Sequence, residues 1–179
     1  IFDGNGEDVW NIRAEAVTLT ATGGSIGSAV NPLMTELPLA DAGLPGRGLT
    51  TLTAAADIFV RELSGDMNVG LVHAGGTASL AAAVSILDAN DTPNPNVVAD
   101  RIILNANLGG IGAAGNDLDI DSSFGSAGTV TITSSQNVYL IEVLGDLLLE
   151  QVLVTSPGRK AYIAAQGGIL NANTAGDAA

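Results

Sequence analysis

Apolar and polar residues alternate in short stretches along much of the chain. At positions 17–22 valine, leucine and alanine alternate with three threonines, and Val130 and Ile132 alternate with threonines in the same way. A period of two predicts β-strands with one buried face and one threonine-rich face towards solvent. The side chains that this pattern directs into the core include Leu19, Leu104, Ile132 and Ile163.

The strand signals return every few residues and are separated by Gly, Asn, Asp or Ser. These spacings leave no room for helices between strands, so we predict an all-β fold built from stacked coils of roughly 20 residues. One segment offers an alternative, because Glu142, Asp146 and Glu150 are four residues apart, as on a helix face. Its counterpart at 58–75 contains Gly65, Gly70 and several β-branched residues, which favours strands in both.

Two imperfect copies of one sequence unit of about 83 residues follow each other. We place the first at about 8–90 and the second at about 91–173. Segment 17–21 matches 102–106, segment 49–53 matches 129–133, and the phrase at 86–90 returns at 169–173. A difference of five residues falls in segment 37–48, whose prolines and glycines predict a surface loop.

The phrases that both copies share in order, among them 57–60, 65–70, 74–76 and 85–90, resemble filamentous-haemagglutinin-type repeats. The resemblance covers roughly residues 8–173. It implies a right-handed parallel β-helix, that is a β-solenoid, from a very large bacterial exoprotein or adhesin, including substrates of two-partner secretion. The N-terminal secretion and cap region of such a substrate is not found in this sequence, which leaves the secretion route open.

Composition narrows the possible partners. Nineteen acidic and six basic residues give a formal charge of −13, which disfavours nucleic acid and anionic lipid headgroups. The sequence has no cysteine, so packing and backbone hydrogen bonds must hold the fold without disulfides. We identify no transmembrane span or signal peptide and expect a piece of a longer protein, located outside the cell or on the bacterial surface.

We predict that the acidic clusters are solvated surface and that no cofactor is bound, and we keep calcium as the alternative. Asp117, Asp119 and Asp121 alternate with apolar residues, which places three carboxylates on one strand face as candidate calcium ligands. A second cluster at 3–8 has the opening spacing of an EF-hand loop but carries alanine at its twelfth position, Ala14. We therefore predict no EF-hand.

Two further motifs are weak candidates for chemistry. Residues 110–115 fit the glycine pattern of a dinucleotide-binding loop, but no helix pattern follows them. His73 is the only histidine, and we predict it to be an exposed turn residue matched by Ser156 in the second copy. No catalytic or cofactor-binding residues are predicted, and we expect no enzyme.

These observations predict a structural or adhesive segment, either a stalk or an adhesin. Its partners would be neighbouring repeats along the solenoid axis and a host, matrix or polysaccharide ligand bound by the loops at 37–48 and 91–96. The alternative is a subunit that assembles into an extracellular filament or sheath through open strand edges. A polysaccharide-active β-helix enzyme is the third hypothesis.

Overall fold

A computed structural model describes residues 1–5, 9–37, 48–123, 125 and 128–173 of the chain. Within these ranges the backbone forms sixteen β-strands and no helix. The strands are β1 (Ile12–Arg13), β2 (Ala16–Ala21), β3 (Leu33–Glu36), β4 (Leu49–Ala54), β5 (Ile58–Glu62), β6 (Met67–Ala74), β7 (Thr77–Ala82), β8 (Ile86–Asp88), β9 (Val97–Val98), β10 (Arg101–Ala106), β11 (Leu118–Asp121), β12 (Thr129–Ser134), β13 (Val138–Glu142), β14 (Leu147–Val154), β15 (Ala161–Ala165) and β16 (Ile169–Asn171).

The strands form two parallel sheets that the chain visits alternately. The first sheet has the order β1-β3-β5-β7-β10-β12-β14-β16, and the second has the order β2-β4-β6-β9-β11-β13-β15, with β8 also paired to β6. All the strand pairs are parallel, so each strand stacks on one from the preceding coil. The result is a β-solenoid of about six turns, which confirms the predicted all-β solenoid class.

Stacked partners keep the same face throughout the sheets, as the alternation of apolar and polar residues requires. Leu104 lies between Leu80 and Ile132 in the first sheet, and all three side chains are buried. Leu80 and Leu104 are 24 residues apart in sequence, whereas Leu104 and Ile132 are 28 apart, so several coils are longer than the predicted 20 residues. The inward orientation of Leu104 and Ile132 is confirmed.

The helix alternative for residues 138–154 is wrong. This segment forms the two strands β13 and β14, separated by a turn at Gly145. Burial alternates along β13, with Val138, Leu140 and Glu142 facing inwards. The spacing of acidic residues by four therefore arises from two strands and a turn.

Equivalent strands of the two sequence copies lie in opposite sheets. Strands β2 to β8 of the first copy correspond in sequence to β10 to β16 of the second, a step of eight strands. Consecutive strands change sheet at each step except from β8 to β9, which both pair with β6, so the chain changes sheet seven times between β2 and β10. Strand β2 is consequently in the second sheet, whereas its counterpart β10 is in the first.

Polar side chains hold the corners of the coils in the same way in both copies, and two of them, Glu62 and Glu142, are buried. Glu62 Oε1 accepts the Leu37 N–H at 3.0 Å, and Glu142 Oε1 accepts the Ser122 N–H at the same distance. Asp66 and Asp146 each accept one backbone N–H from the next coil, from Ser85 at 2.9 Å and Gly168 at 2.6 Å. In the same way Asp57 Oδ1 accepts the Thr77 N–H, and Asn137 Oδ1 accepts the Lys160 N–H.

The equivalence extends to the start of the chain. Asp3, Asp88 and Asn171 each accept the N–H of the residue two positions later through Oδ1, at 2.7, 2.7 and 2.9 Å. The phrase at 86–90 and 169–173 is thus also present at 1–5, and the units as the backbone arranges them begin at Ile1, Ile86 and Ile169. We refer to residues 1–85 as the first unit and 86–168 as the second unit.

The described residues contain no helix that is long and apolar enough to cross a membrane. Most of the predicted surface loop at 37–48 lies outside the described residues, and only Leu37 and Gly48 at its ends are placed. The other predicted loop, at 91–96, is confirmed: it connects β8 and β9, and residues 91–94 are exposed.

Candidate functional site

An acidic cleft lies on the outer face of the second sheet, where the second unit leaves the regular solenoid twice. Strands β8 and β9 pair with opposite halves of β6, and the chain makes an excursion at 89–96 between them. One coil later Ile111 and β11 pair with β13, with a second excursion at 112–117. The two excursions enclose an open cleft of about 280 Å³, lined by Asp88, Asp91, Thr92, Pro93, Gly115, Asn116, Asp117, Asp119 and Ile141.

Asp88 organises the first excursion. Its carboxylate accepts the N–H groups of Asn90 at 2.7 Å and Asp91 at 2.9 Å, as well as the Asn96 side-chain amide at 2.6 Å. Asp91 has φ of 46°, the only positive value outside glycine among the described residues. Aspartate tolerates this left-handed conformation better than most residues, which lets the loop turn sharply after β8.

Asn96 links the first excursion to the second. Its Oδ1 accepts the Asp119 N–H at 3.0 Å, while its amide nitrogen donates to the Val69 carbonyl at 3.2 Å. The same amide geometry is found in the first unit, where Asn11 Oδ1 accepts the Met34 N–H at 2.7 Å. These bonds fix the backbone beneath the cleft, so its floor is a rigid part of the solenoid.

The side chain of Asp119 is the most unusual group in the cleft. The residue is only 8% exposed, and its carboxylate has no hydrogen bond or ion pair within the described structure. Burial raises the pKa of Asp119, and the nearby carboxylates of Asp88, Asp117 and Asp91 raise it further. Asn116 Oδ1 is also buried in the cleft without a hydrogen-bond partner in the described structure. The cleft therefore presents acceptors that lack donors.

Two tyrosines extend the acidic cleft along the same face. Asp117 and Ile141 also line an adjoining hollow of about 270 Å³ that includes Tyr162. The rings of Tyr139 and Tyr162 stack in neighbouring coils, with centroids 4.8 Å apart and planes 7° from parallel. Carboxylates beside aromatic faces form an environment that suits a cationic group.

Two of the three candidate calcium ligands lie together in the structure, and the third lies apart from them. Asp117 and Asp119 line the cleft, but Asp121 does not: its carboxylate accepts the N–H and hydroxyl of Ser123 at 3.0 and 2.8 Å. Sequence reasoning missed Asp88 and Asp91, which come from the preceding coil. The repeated phrase at 86–90 was a signal for Asp88, but only stacking reveals that it adjoins Asp119.

The described residues contain no group of three or more Asp, Glu or His side chains placed so that they could hold a metal ion. The cleft carboxylates repel one another without forming a coordination sphere. In the first unit Pro32 and Met34 occupy the positions of Asp117 and Asp119, so that unit has no equivalent acidic pair there.

The other candidate residues lie in turns or strands of the solenoid. In the glycine motif at 110–115, Gly112 has φ of 62°, and β11 rather than a helix follows. Asp3 caps the turn at Asn5, whereas Glu7 and Asp8 lie outside the described residues. Our prediction for His73 is wrong: it is half-buried within β6 and aligns with Leu153 rather than Ser156, because β6 and β14 share one register.

Comparisons of the chain with protein-family models, with curated proteins and with solved structures each found no match.

Proposed function

We propose that this chain is a rigid structural segment, a stalk, of a bacterial protein outside the cell or on its surface, and that the acidic cleft gives the stalk an adhesive site. The observation that carries the proposal is the distribution of polar side chains between the units. Both units use equivalent buried groups to tie coil to coil, whereas the cleft occurs in one unit only. Polar positions that are equivalent in both units stabilise the stacked coils, whereas the acidic positions that occur in the second unit only are available to bind a ligand.

The stalk part rests on continuous parallel pairing. Each central strand bonds to a strand above and a strand below. In the first sheet the junction between the units is as regular as any other step, because β7 and β10 pair over six consecutive residues. In the second sheet β6 bonds to the two short strands β8 and β9 of the second unit. A solenoid of this kind resists bending and local opening as one body.

Hydrogen exchange tests the stalk. We expect the amides of β4, β5, β7, β10, β12 and β13 to exchange together and far more slowly than those of residues 89–94 and 113–115, since exposed loops open locally at little cost. A central strand that exchanges as fast as these loops, or one unit that exchanges well before the other, would contradict a single rigid stalk.

The adhesive part concerns a ligand with cationic groups, such as a lysine- or arginine-rich surface of a matrix protein. The unpaired Asp119 carboxylate, its acidic neighbours and the exposed Tyr162 ring together favour such groups. The formal charge of −13 adds long-range attraction, which salt screens.

Binding to a lysine-rich peptide tests this site. We expect Asp117→Asn to weaken binding severalfold, because Asp117 lines both the acidic cleft and the tyrosine hollow. Glu15→Gln is the matched control, since it removes the same charge from an exposed position outside the cleft. Equal effects of the two variants would show that peptide binding depends only on the net charge of the chain, which would refute the cleft as the binding site.

A further inference from the structure

Asp119 lies on the outer face of the second sheet, yet it is covered there. Its side chain alternates with Leu118 and Ile120, which both belong to the hydrophobic core. The outer residues in register with it on the next two strands are Ile141, which is half-buried, and Ala164, which is exposed. Asp119 is only 8% exposed, because residues of the two excursions enclose the cleft that it lines.

An apolar side chain holds the equivalent covered position in the first unit. Met34 aligns with Asp119 and is 2% exposed. Its N–H is bonded to Asn11 as the Asp119 N–H is bonded to Asn96, at 2.7 and 3.0 Å. The fold therefore accepts a neutral side chain here and keeps the same backbone bond. A carboxylate in its place costs free energy unless a donor satisfies it.

The cleft around Asp119 has acceptors but lacks donors for them. The Asp119 carboxylate accepts no hydrogen bond within the described structure, and neither does Asn116 Oδ1 in the cleft wall. The Asn116 amide nitrogen donates to the Asp88 carbonyl at 3.2 Å, which fixes the orientation of the amide and leaves its oxygen as the free acceptor. None of the described residues that line the cleft is basic. A cationic donor for Asp119 therefore has to come from a ligand.

We propose that Asp119 binds the ammonium group of a lysine side chain of the partner protein. The more exposed carboxylates of Asp117 and Asp91 stand at the entrance of the cleft and attract that charge. The inference rests on the proposed adhesive role of the cleft and deepens it by naming the group that enters.

The enclosure of Asp119 favours an ammonium group over the guanidinium group of arginine. An ammonium group is a compact nitrogen with three donors, whereas a guanidinium group is a planar fork that pairs best with both oxygens of one carboxylate. A carboxylate beneath two excursions presents little of the open edge that the fork needs. The acceptors also come from different elements: Asp119 from β11, Asn116 from the second excursion and Asp91 from the first. Three separate donors suit such an arrangement.

The lining of the cleft favours an organic cation over a metal ion. No group of three Asp, Glu or His side chains in the part of the chain that the structure describes is placed to hold a metal ion. Pro93 and Ile141 add apolar surface beside the carboxylates. Lysine carries its charge at the end of a methylene stem, and such stems pack along apolar surface while the charged end reaches polar groups.

Two peptides of one sequence, with lysine at every basic position in one and arginine in the other, test the preference. In calorimetric titrations of the full chain, the lysine peptide should bind about tenfold more tightly. Asp119→Asn should remove this difference by weakening the binding of the lysine peptide. Asp121→Asn is the matched control, because it removes the same charge from the same strand but outside the cleft, and it should keep the difference.

Asp119→Met provides a second variant, since the first unit carries methionine at this position. We expect circular dichroism to show that it folds, and the titrations to show the same loss of preference as for Asp119→Asn.

Competition between salts tests the contact with the methylene stem. At equal ionic strength, n-butylammonium chloride should displace the lysine peptide more effectively than sodium chloride, because only butylammonium has methylene groups that pack on Pro93 and Ile141. Equal displacement by the two salts would show that they act by charge screening alone, and it would overturn the inference.

Failure of this inference is distinguishable from failure of the adhesive role. Equal affinity for the two peptides, tighter binding of the arginine peptide, or a preference that Asp119→Asn leaves intact would overturn the assignment of lysine to Asp119. If Asp117→Asn still weakened binding in those cases, the cleft would remain the adhesive site. Absence of binding by both peptides would refute the adhesive role itself.

Discussion

The first and second units differ in a way that separates fold from candidate function. Glu62 and Glu142 are both fully buried, and each accepts an N–H group from the preceding coil. In contrast, the cleft residues Asp117 and Asp119 of the second unit align with Pro32 and Met34 of the first. Comparison of the two units thus separates the residues that the common fold requires from the residues that only one unit carries.

Many of the acidic residues that the structure describes stabilise the fold. Asp57, Asp66 and Asp146 each accept a backbone N–H one coil away, where no regular strand pairing satisfies it. Such a role needs only a short acceptor, which explains why Asn137 serves where Asp57 does in the other unit. A carboxylate without this duty, such as Asp119, is the exception that marks the cleft.

The largest expected effect comes from a charge in the core. Leu104→Asp should destabilise the chain by about 4 kcal/mol or more, because Leu104 is buried between Leu80 and Ile132 and the carboxylate would have no donor. Asn105→Asp should cost less than about 1 kcal/mol, since Asn105 is exposed. Urea unfolding followed by circular dichroism measures both.

The same substitution at Leu19 sharpens the comparison of units. Leu19 and Leu104 hold equivalent sequence positions, but Leu19 lies in β2, the last strand of the second sheet, and is only half-buried. Leu19→Asp should therefore cost clearly less than Leu104→Asp. If Asn105→Asp proved the worst of the three, the assigned strand faces would be incorrect.

Buried Glu142 makes stability depend on pH. Burial raises the pKa of Glu142 from 4.5 to about 7, against the opposing effect of its bonds from Ser122. The folded state therefore binds the proton more tightly than the unfolded state, so stability is greatest below pH 4.5 and is lost as the pH rises through about 7. The loss from this group amounts to about 3 kcal/mol at full ionisation.

Glu142→Gln isolates this contribution, because glutamine retains an acceptor for Ser122 but cannot ionise. The variant should match the unchanged chain at pH 4 and exceed its unfolding free energy at pH 8. Glu62→Gln should shift stability in the same direction, since burial is also the main cause that raises the pKa of Glu62. Unfolding curves that run parallel from pH 4 to 8 would contradict buried ionisable groups at these corners.

The sequence predicted the residues whose position follows from the local pattern of their own strand. It did not predict the contacts that arise from the stacking of one coil on another. Alternation placed Leu104 and Ile132 in the core because the face of a strand follows from its own residues. It could not assign Glu142, since an inward-facing carboxylate breaks the pattern and is explained by the N–H and hydroxyl that Ser122 of the preceding coil donates to it. Likewise Asp88 and Asp119 adjoin because coils of unequal length stack, which no local spacing encodes.

Two glycines test the equivalence of the units directly. A Cβ at Gly27 would lie 2.1 Å from the Phe59 carbonyl oxygen, and one at Gly112 would lie 2.2 Å from that of Tyr139. Both have positive φ, so alanine adds backbone strain to the clash, and we expect each substitution to cost about 1–3 kcal/mol. Gly115→Ala is the control, with φ of 84° but open space around it. Thermal melts that rank Gly115→Ala with the other two would refute the close contacts.

The smallest expected effect separates the cleft from the structural carboxylates. Asp119→Asn should raise stability at pH 8 by up to about 1 kcal/mol, because it removes a buried charge that Asp88, Asp117 and Asp91 repel. Asp121→Asn should lower stability by a similar amount, since the Asp121 carboxylate accepts two bonds from Ser123. The gain from Asp119→Asn should shrink as the pH falls through the raised pKa of Asp119, where the unchanged chain becomes neutral as well. Paired urea titrations at pH 8 and pH 4 measure this difference. Opposite signs for these neighbouring substitutions would identify Asp119 as a group retained at a cost to stability, as binding sites are, whereas a loss in both would place Asp119 among the residues that only hold the fold.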